Sequence, residues 1–209
     1  MKLNIKDIET KLNKVIRQNS ISMGIDVAEN ITGICIIKSN CNTINVEYTQ
    51  IIESNKKEDH FHRADHFIDS LDKLKQTINK YKTHKILVIE RCYFGVNPEA
   101  LIHLAHFGIL SYTILKKEFD TVYYFGANTG RSIIGFNQKK QEEQGTLEAD
   151  LYTRDTKDRK GKLKHRKGDK KKIDCKSLVH NYLKTDFNIE FESKDIADAF
   201  VLALAGLLQ

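Results

Sequence analysis

Four carboxylates carry the chemistry legible in this sequence. Asp26 ends the segment Ser22-Met-Gly-Ile-Asp, Glu90 ends Ile86-Leu-Val-Ile-Glu, and Asp195 and Asp198 lie in Ser193-Lys-Asp-Ile-Ala-Asp-Ala. A carboxylate at the end of an apolar run is costly to place beside a core unless a cation neutralises it. Four that converge, with almost no Cys or His beside them in the sequence, suit hard divalent ions held by oxygen, Mg²⁺ or Mn²⁺. Such a cluster fits metal-assisted hydrolysis of a phosphodiester. Each acid alone has a plainer reading as a turn cap, a strand-end charge or a favourable helix N-terminus. Their joint occurrence in these contexts is what favours a metal site.

The elements that must position these acids can be read from periodicity. Asp195 and Asp198 are three apart, so on a helix they share one side, with Cβ atoms about 5–6 Å apart. One helix can therefore ligate ions that bridge a phosphate about 3.5–4 Å apart. Ala197, Ala199, Ala203, Ala205 and Gly206 keep that helix thin enough to press against a sheet. Ser193 is its expected N-cap, and it should run to Leu208. Asp26 and Glu90 should stand on adjacent central strands facing it.

Strands are expected over 21–27, 31–38 and 43–53, a meander with turns at Glu29-Asn30 and 40–42. Over 43–53, Ile44, Val46 and Tyr48 fall on one face. From Glu58 to Tyr81 the period becomes helical, with Phe61, Ala64, Phe67, Ile68, Leu71, Leu74 and Ile78 on one stripe. Lys85–Glu90 reads as a strand buried on both sides. Asn97-Pro98-Glu99 opens the next helix, with an Asn cap and proline at its first position. A further strand spans 121–125, and a helix spans 173–183.

Residues 5–18 put Ile5, Ile8, Leu12, Val15 and Ile16 on one helical stripe, for packing on the sheet or for a partner. This divides the chain into an N-terminal amphipathic helix, 1–20, and a catalytic domain, 21–209. The domain carries a basic insertion over 138–170, expected as a long loop. The fold class is α/β, a mixed β-sheet flanked by helices on both faces.

A length of 209 residues suits one α/β domain. Net charge is +6, but Arg154–Lys172 holds eleven Lys/Arg against three Asp, so the rest of the chain is slightly acidic. That concentration points to a polyanion bound at a defined place. No apolar run approaches about 18 residues, so no transmembrane helix or membrane partner is expected. Cys35, Cys41, Cys92 and Cys175 show no CxxC spacing and read as reduced thiols of an intracellular protein, two of them in buried strands. His60, His62 and His66 read as a solvated helix start, and His103 and His106 as helix positions facing the sheet or a partner.

The sequence resembles the RuvC family of Holliday-junction resolvases, within the ribonuclease H-like superfamily. The resemblance rests on Gly24-Ile-Asp-Val-Ala-Glu-Asn-Ile-Thr-Gly-Ile, on Ile89-Glu-Arg-Cys-Tyr-Phe-Gly-Val-Asn-Pro-Glu-Ala-Leu, and on Asp195-Ile-Ala-Asp-Ala-Phe-Val-Leu-Ala. It spans about 22–207 outside the basic loop. The resemblance implies a ribonuclease H-like fold and a homodimeric endonuclease. Such an enzyme makes paired nicks in four-way DNA junctions with two Mg²⁺ ions per site, for which Mn²⁺ substitutes. It implies Asp26, Glu90, Asp195 and Asp198 as metal ligands and catalytic residues, and Tyr93, or else Phe94, as the aromatic that stacks on a junction base. Arg131 and one of Lys170, Lys171 and Lys172 match basic residues that contact DNA.

The expected location is intracellular, cytoplasmic or nucleoid-associated, or host cytoplasm for a viral protein. Within the same chemistry, the alternatives are cleavage of RNA–DNA hybrids or of flaps and branches. The rival of another class is an actin-like or sugar-kinase-like ATPase, whose first phosphate loop Gly24-Ile-Asp…Thr32-Gly33 resembles. That reading lacks a second phosphate loop and an adenosine motif.

Overall fold

The computed structural model describes residues 1–55, 57–92, 98–138 and 174–209. Among the described residues, six strands form one sheet in the order β1-β4-β3-β2-β5-β6. They are β1 (Lys2–Asn4), β2 (Ser20–Asp26), β3 (Ile31–Ser39), β4 (Thr43–Glu53), β5 (His84–Glu90) and β6 (Thr121–Phe125). β2, β3 and β4 make the antiparallel meander, while β5 and β6 continue the sheet parallel to β2. The helices are α1 (Ile5–Leu12), α2 (His60–Ile78), α3 (Pro98–Leu115), α4 (Ala127–Ile133), α5 (Cys175–Phe187) and α6 (Lys194–Leu207).

Strand periodicity of two sorts the sheet residues into two cores. Cys35, Ile37, Ile86 and Val88 pack with α1, α5 and α6 on the first face. Met23, Ile25, Ile34, Ile36, Leu87 and Ile89 pack with α2 and α3 on the second. Every residue of β2 is buried, as befits a central strand covered on both faces. The same parity sends Asp26, with Ser22 and Gly24, and Glu90, with Ile86 and Val88, toward α6.

The expected close approach of α6 holds, but half of its cause lies in the sheet. A Cβ on Gly24 would stand 2.6 Å from the Ala203 backbone nitrogen and closer still to the Ala199 carbonyl. The small residues of α6 thus meet a glycine gap in β2.

Several local readings differ. β4 carries a bulge, since Ile37 pairs with Val46 but Ile36 with Tyr48. Glu47 is the extra residue, so Ile44 and Val46 serve the first core while Tyr48 packs on the second. The first helix stops at Leu12 because Asn13 adopts a left-handed conformation, leaving Val15 exposed while Ile16 reaches the core. β1, which joins β4 at the sheet edge, and α4 were not expected. Phe61 is exposed rather than part of the α2 stripe. Of the four thiols, only Cys35 sits buried in a strand, Cys41 is exposed, and Cys92 and Cys175 are half-buried outside strands. Asn97 and the basic segment over 139–173 lie outside the described residues. No described helix is long and apolar enough to cross a membrane.

Candidate active site

β2 and β5 run parallel in a register that pairs Ile25 with Ile89, so Asp26 and Glu90 end neighbouring strands side by side. A short turn follows Asp26, closed by Thr32, whose hydroxyl donates to the Ala28 carbonyl at 2.8 Å. α6 starts directly above. The Ser193 hydroxyl caps it by accepting from the Asp195 amide at 3.1 Å. Gly33, opposite Asp26 in the β2–β3 ladder, leaves room for the Asp195 carbonyl to pack on the strand. The first turn of α6 is thereby set over the two strand-end acids, and Asp198 follows one turn on.

Two cations complete the cluster. Lys176, in the first turn of α5, places its Nζ 2.6 Å from Asp26 Oδ2, 2.5 Å from Asp195 Oδ1 and 4.0 Å from Asp198 Oδ2. α5 is held there by its own cap. Asp174 accepts from the Lys176 amide, and its carboxylate also receives Lys194 from the start of α6 at 3.0 Å. Burial works against ionisation of Asp174, yet its hydrogen bonds with Ser177 and Lys194 hold its carboxyl below the usual range. Arg131, on α4, grips Asp198 through two nitrogens, Nε to Oδ1 at 3.3 Å and Nη2 to Oδ2 at 2.8 Å. Its Nη1 also reaches Cys175 Sγ at 3.2 Å. Both members of the Arg131–Asp198 pair are nearly inaccessible to solvent, with side chains 9% and 7% exposed.

The acids repel one another strongly. Burial, then the hydrogen bond and charge of Asp26, push Glu90 up to about 10. Asp198 is also raised, chiefly by burial, with Arg131 opposing the shift. For Lys176, burial is outweighed by Asp26 and Asp195, which hold its ammonium firmly protonated. A cluster that keeps a proton on Glu90 and draws an ammonium among its oxygens has more negative charge than it can hold alone. The donor set is all oxygen: Asp26, Glu90, Asp195 and Asp198. It fits hard divalent cations, with the Lys176 ammonium standing where positive charge is wanted.

A family model described as crossover junction endodeoxyribonuclease RuvC matches residues 22–153. The chain belongs to the RuvC family. That match covers Asp26, Glu90 and Arg131, while Lys176, Asp195 and Asp198 lie beyond it and join the site through the fold. The chain is 28% identical over 123 residues to a crossover junction endodeoxyribonuclease RuvC of Helicobacter acinonychis, covering 58% of this chain and 74% of that protein.

Two solved structures share the fold. One is Thermus thermophilus RuvC in complex with a Holliday-junction substrate, with a TM-score of 0.56 and 11% identity, covering 88% of this chain and 91% of that one. The other is T. thermophilus RuvC, with a TM-score of 0.52 and 12% identity, covering 88% and 92%. RuvC membership fixes a crossover junction endodeoxyribonuclease of the ribonuclease H-like class, and a family dependent on divalent metal.

The structure brings together five residues singled out in the sequence: Asp26, Glu90, Asp195, Asp198 and Arg131. Arg131 faces Asp198 rather than solvent. Tyr93, Phe94, Lys170, Lys171 and Lys172 lie outside the described residues. Lys176 was missed. Its signal was Asp174-Cys-Lys, an N-cap two residues before a lysine, which fixes that lysine at the mouth of a helix.

Proposed function

We propose that this RuvC family member resolves four-way DNA junctions by paired, Mg²⁺-dependent nicking that leaves 5′-phosphate and 3′-hydroxyl ends. The observation that carries the reading is the convergence of Asp26, Asp195 and Asp198 on the Lys176 ammonium, with Glu90 hydrogen-bonded to Asp26 beside them. Asp26, Glu90, Asp195 and Asp198 would hold the ions, two per site, with Mn²⁺ as a substitute. Bound there, the metal supplies an activated water and neutralises charge at the phosphodiester. With ions bound, Glu90 would lose the proton it holds against Asp26 and serve as an ionised ligand. Asp198 stays fixed by the Arg131 fork, and Asp195 by the capped start of α6. Lys176, which contacts Asp26 and Asp195 in the metal-free protein, would then be free to bind phosphate oxygen beside the site.

Paired nicks need two sites. On α3, the exposed Ile102 and Ile109 stand seven residues apart on one stripe, which supports a homodimer across that helix. The basic run 154–172 would add affinity without sequence information and weaken with salt. Tyr93, or else Phe94, would stack on a junction base, worth about 1–3 kcal/mol. Either Lys170, Lys171 or Lys172 would contact phosphate.

The test is nicking of labelled four-way junction, linear duplex, flap and RNA–DNA hybrid in Mg²⁺, by wild type and Asp195→Asn. The expected result is symmetric paired nicks on the junction alone, abolished in the variant. Preferential cleavage of hybrid or flap would keep the chemistry and replace the substrate.

A further inference from the structure

On the other side of the sheet, away from the four carboxylates, three sequence-distant segments bring imidazoles onto one carboxylate. Glu29 lies in the turn between β2 and β3, His60 opens α2, and His103 and His106 lie on α3. Glu29 Oε1 is 2.8 Å from His103 Nδ1 and 3.7 Å from His60 Nδ1. The His60 and His103 rings stack with centroids 4.1 Å apart. His60 Nε2 lies 3.1 Å from His106 Nδ1.

We propose that Glu29, His60 and His103 form a second metal site, for a borderline transition ion of the Zn²⁺ class, separate from the four-carboxylate centre.

Three observations carry it. First, the donor atoms of the three side chains all lie within 4.8 Å of one another. A tetrahedral ion with bonds of about 2.0–2.1 Å needs its ligands roughly 3.4 Å apart, so modest side-chain rotations close the set. Second, His60 Nδ1 is buried and has no hydrogen-bond partner among the described residues. Imidazole ligands are oriented by a hydrogen bond through their other nitrogen, and His106 supplies that bond to His60 Nε2. The free lone pair then faces Glu29. Third, two imidazoles and one carboxylate are the donor set of a transition ion rather than of Mg²⁺.

Arg63 Nη2, 2.6 Å from Glu29 Oε1, does not close the site. A carboxylate offers about four lone-pair sites, so Arg63 keeps its hold while the ion takes another. His103 would exchange the proton it shares with Glu29 for the metal, moving its own N–H to Nε2.

The placement suggests what such an ion would do. Glu29 follows Asp26 by three residues, and α3 follows the segment that leaves Glu90. An ion bridging Glu29, His60 and His103 would tie the turn after β2 to the starts of α2 and α3. It would brace both strand-end acids from behind.

Titration with Co²⁺ in excess Mg²⁺ tests this, read by the visible absorption of tetrahedral cobalt, with Zn²⁺ competition and a thermal melt alongside. The expected result is one cobalt per chain in wild type and in Asp195→Asn. The band should disappear in His103→Gln and Glu29→Gln, and Zn²⁺ should raise the Tm only of the proteins that show it. Melts without metal report that each variant is folded. A band retained in folded His103→Gln but lost in Asp195→Asn would overturn the site, as would a wild type that binds no cobalt under excess Mg²⁺.

Discussion

The backbone carbonyl of Asp195 occupies the space that a Cβ on Gly33 would need. Gly33 is the ladder partner of Asp26, so one missing side chain sets the distance between two acids 169 residues apart in sequence. Gly33→Ala adds a single methyl group against backbone that cannot yield. The expected penalty is about 1–3 kcal/mol of stability from overpacking. The expected effect on cleavage is larger. A displacement near 1 Å at a reacting centre costs on the order of 10²-fold. Junction nicking by Gly33→Ala should fall about that far while junction binding, measured by gel shift, changes little. Full cleavage activity in this variant would show that α6 is not seated by Gly33.

The raised Glu90 makes the metal-free protein sensitive to alkali. A group whose pKa is higher folded than unfolded favours the fold below its unfolded value and loses that contribution as pH rises through the folded one. For Glu90 the window runs from about 4.5 to about 10. In EDTA, wild-type Tm should therefore fall across this range more steeply than that of Glu90→Gln, which has nothing to ionise. Above neutral pH the variant should be the more stable protein, each kcal/mol appearing as about 2–4 °C. Mg²⁺ should flatten the wild-type curve and leave the variant nearly unmoved. Parallel curves for the two proteins in EDTA would mean that Glu90 is not buried against Asp26.

How much of this was legible beforehand depends on what each feature rests on. Asp26 and Glu90 announced themselves because each ends an apolar run, and strand parity then placed both under α6. The Asp195/Asp198 pair needed only helical spacing and a serine cap. Lys176 did not stand out, because its meaning comes from the distant carboxylates it bridges. The bulge at Glu47 was equally silent, since alternation continues through it in sequence while the faces exchange in space. Gly24, Thr32 and Gly33 invited an ATPase reading as a phosphate loop. Here Gly24 and Gly33 admit α6, and the Thr32 hydroxyl closes its own turn. His60 read as part of a solvated helix start, and His103 and His106 as helix positions facing the sheet or a partner, because 43 residues and an intervening strand separate His60 from His103.

Arg131 and Asp198 form a pair whose loss should be felt as stability. Removing one partner of a buried ion pair leaves an uncompensated charge, typically at about 3–5 kcal/mol. Arg131→Gln should lower the urea midpoint accordingly with an unchanged slope. Adding Asp198→Asn to it should return much of that loss, because the stranded carboxylate is gone. Arg131→Lys should recover stability in part, as it keeps charge without the two-nitrogen fork. If Arg131→Gln and the double variant were equally unstable, the pair would not be coupled.

Lys176 makes the sharpest prediction because it should move two quantities in opposite directions. Its ammonium touches Asp26 and Asp195 and competes for the oxygens that would hold the ions. Lys176→Gln removes that competitor and one positive charge, so less Mg²⁺ should be needed for half-maximal activity. The same change removes the cation left to meet phosphate, so the maximal nicking rate should drop by about 10²-fold or more, the scale of losing one donor to developing charge. A Mg²⁺ titration of single-turnover nicking reads both at once. Were Lys176 only a structural tether between α5 and α6, the variant would need more Mg²⁺, not less, because its carboxylates would have lost their alignment. A leftward-shifted Mg²⁺ curve with a lowered plateau belongs to a residue that waits in the metal site and then turns to the DNA.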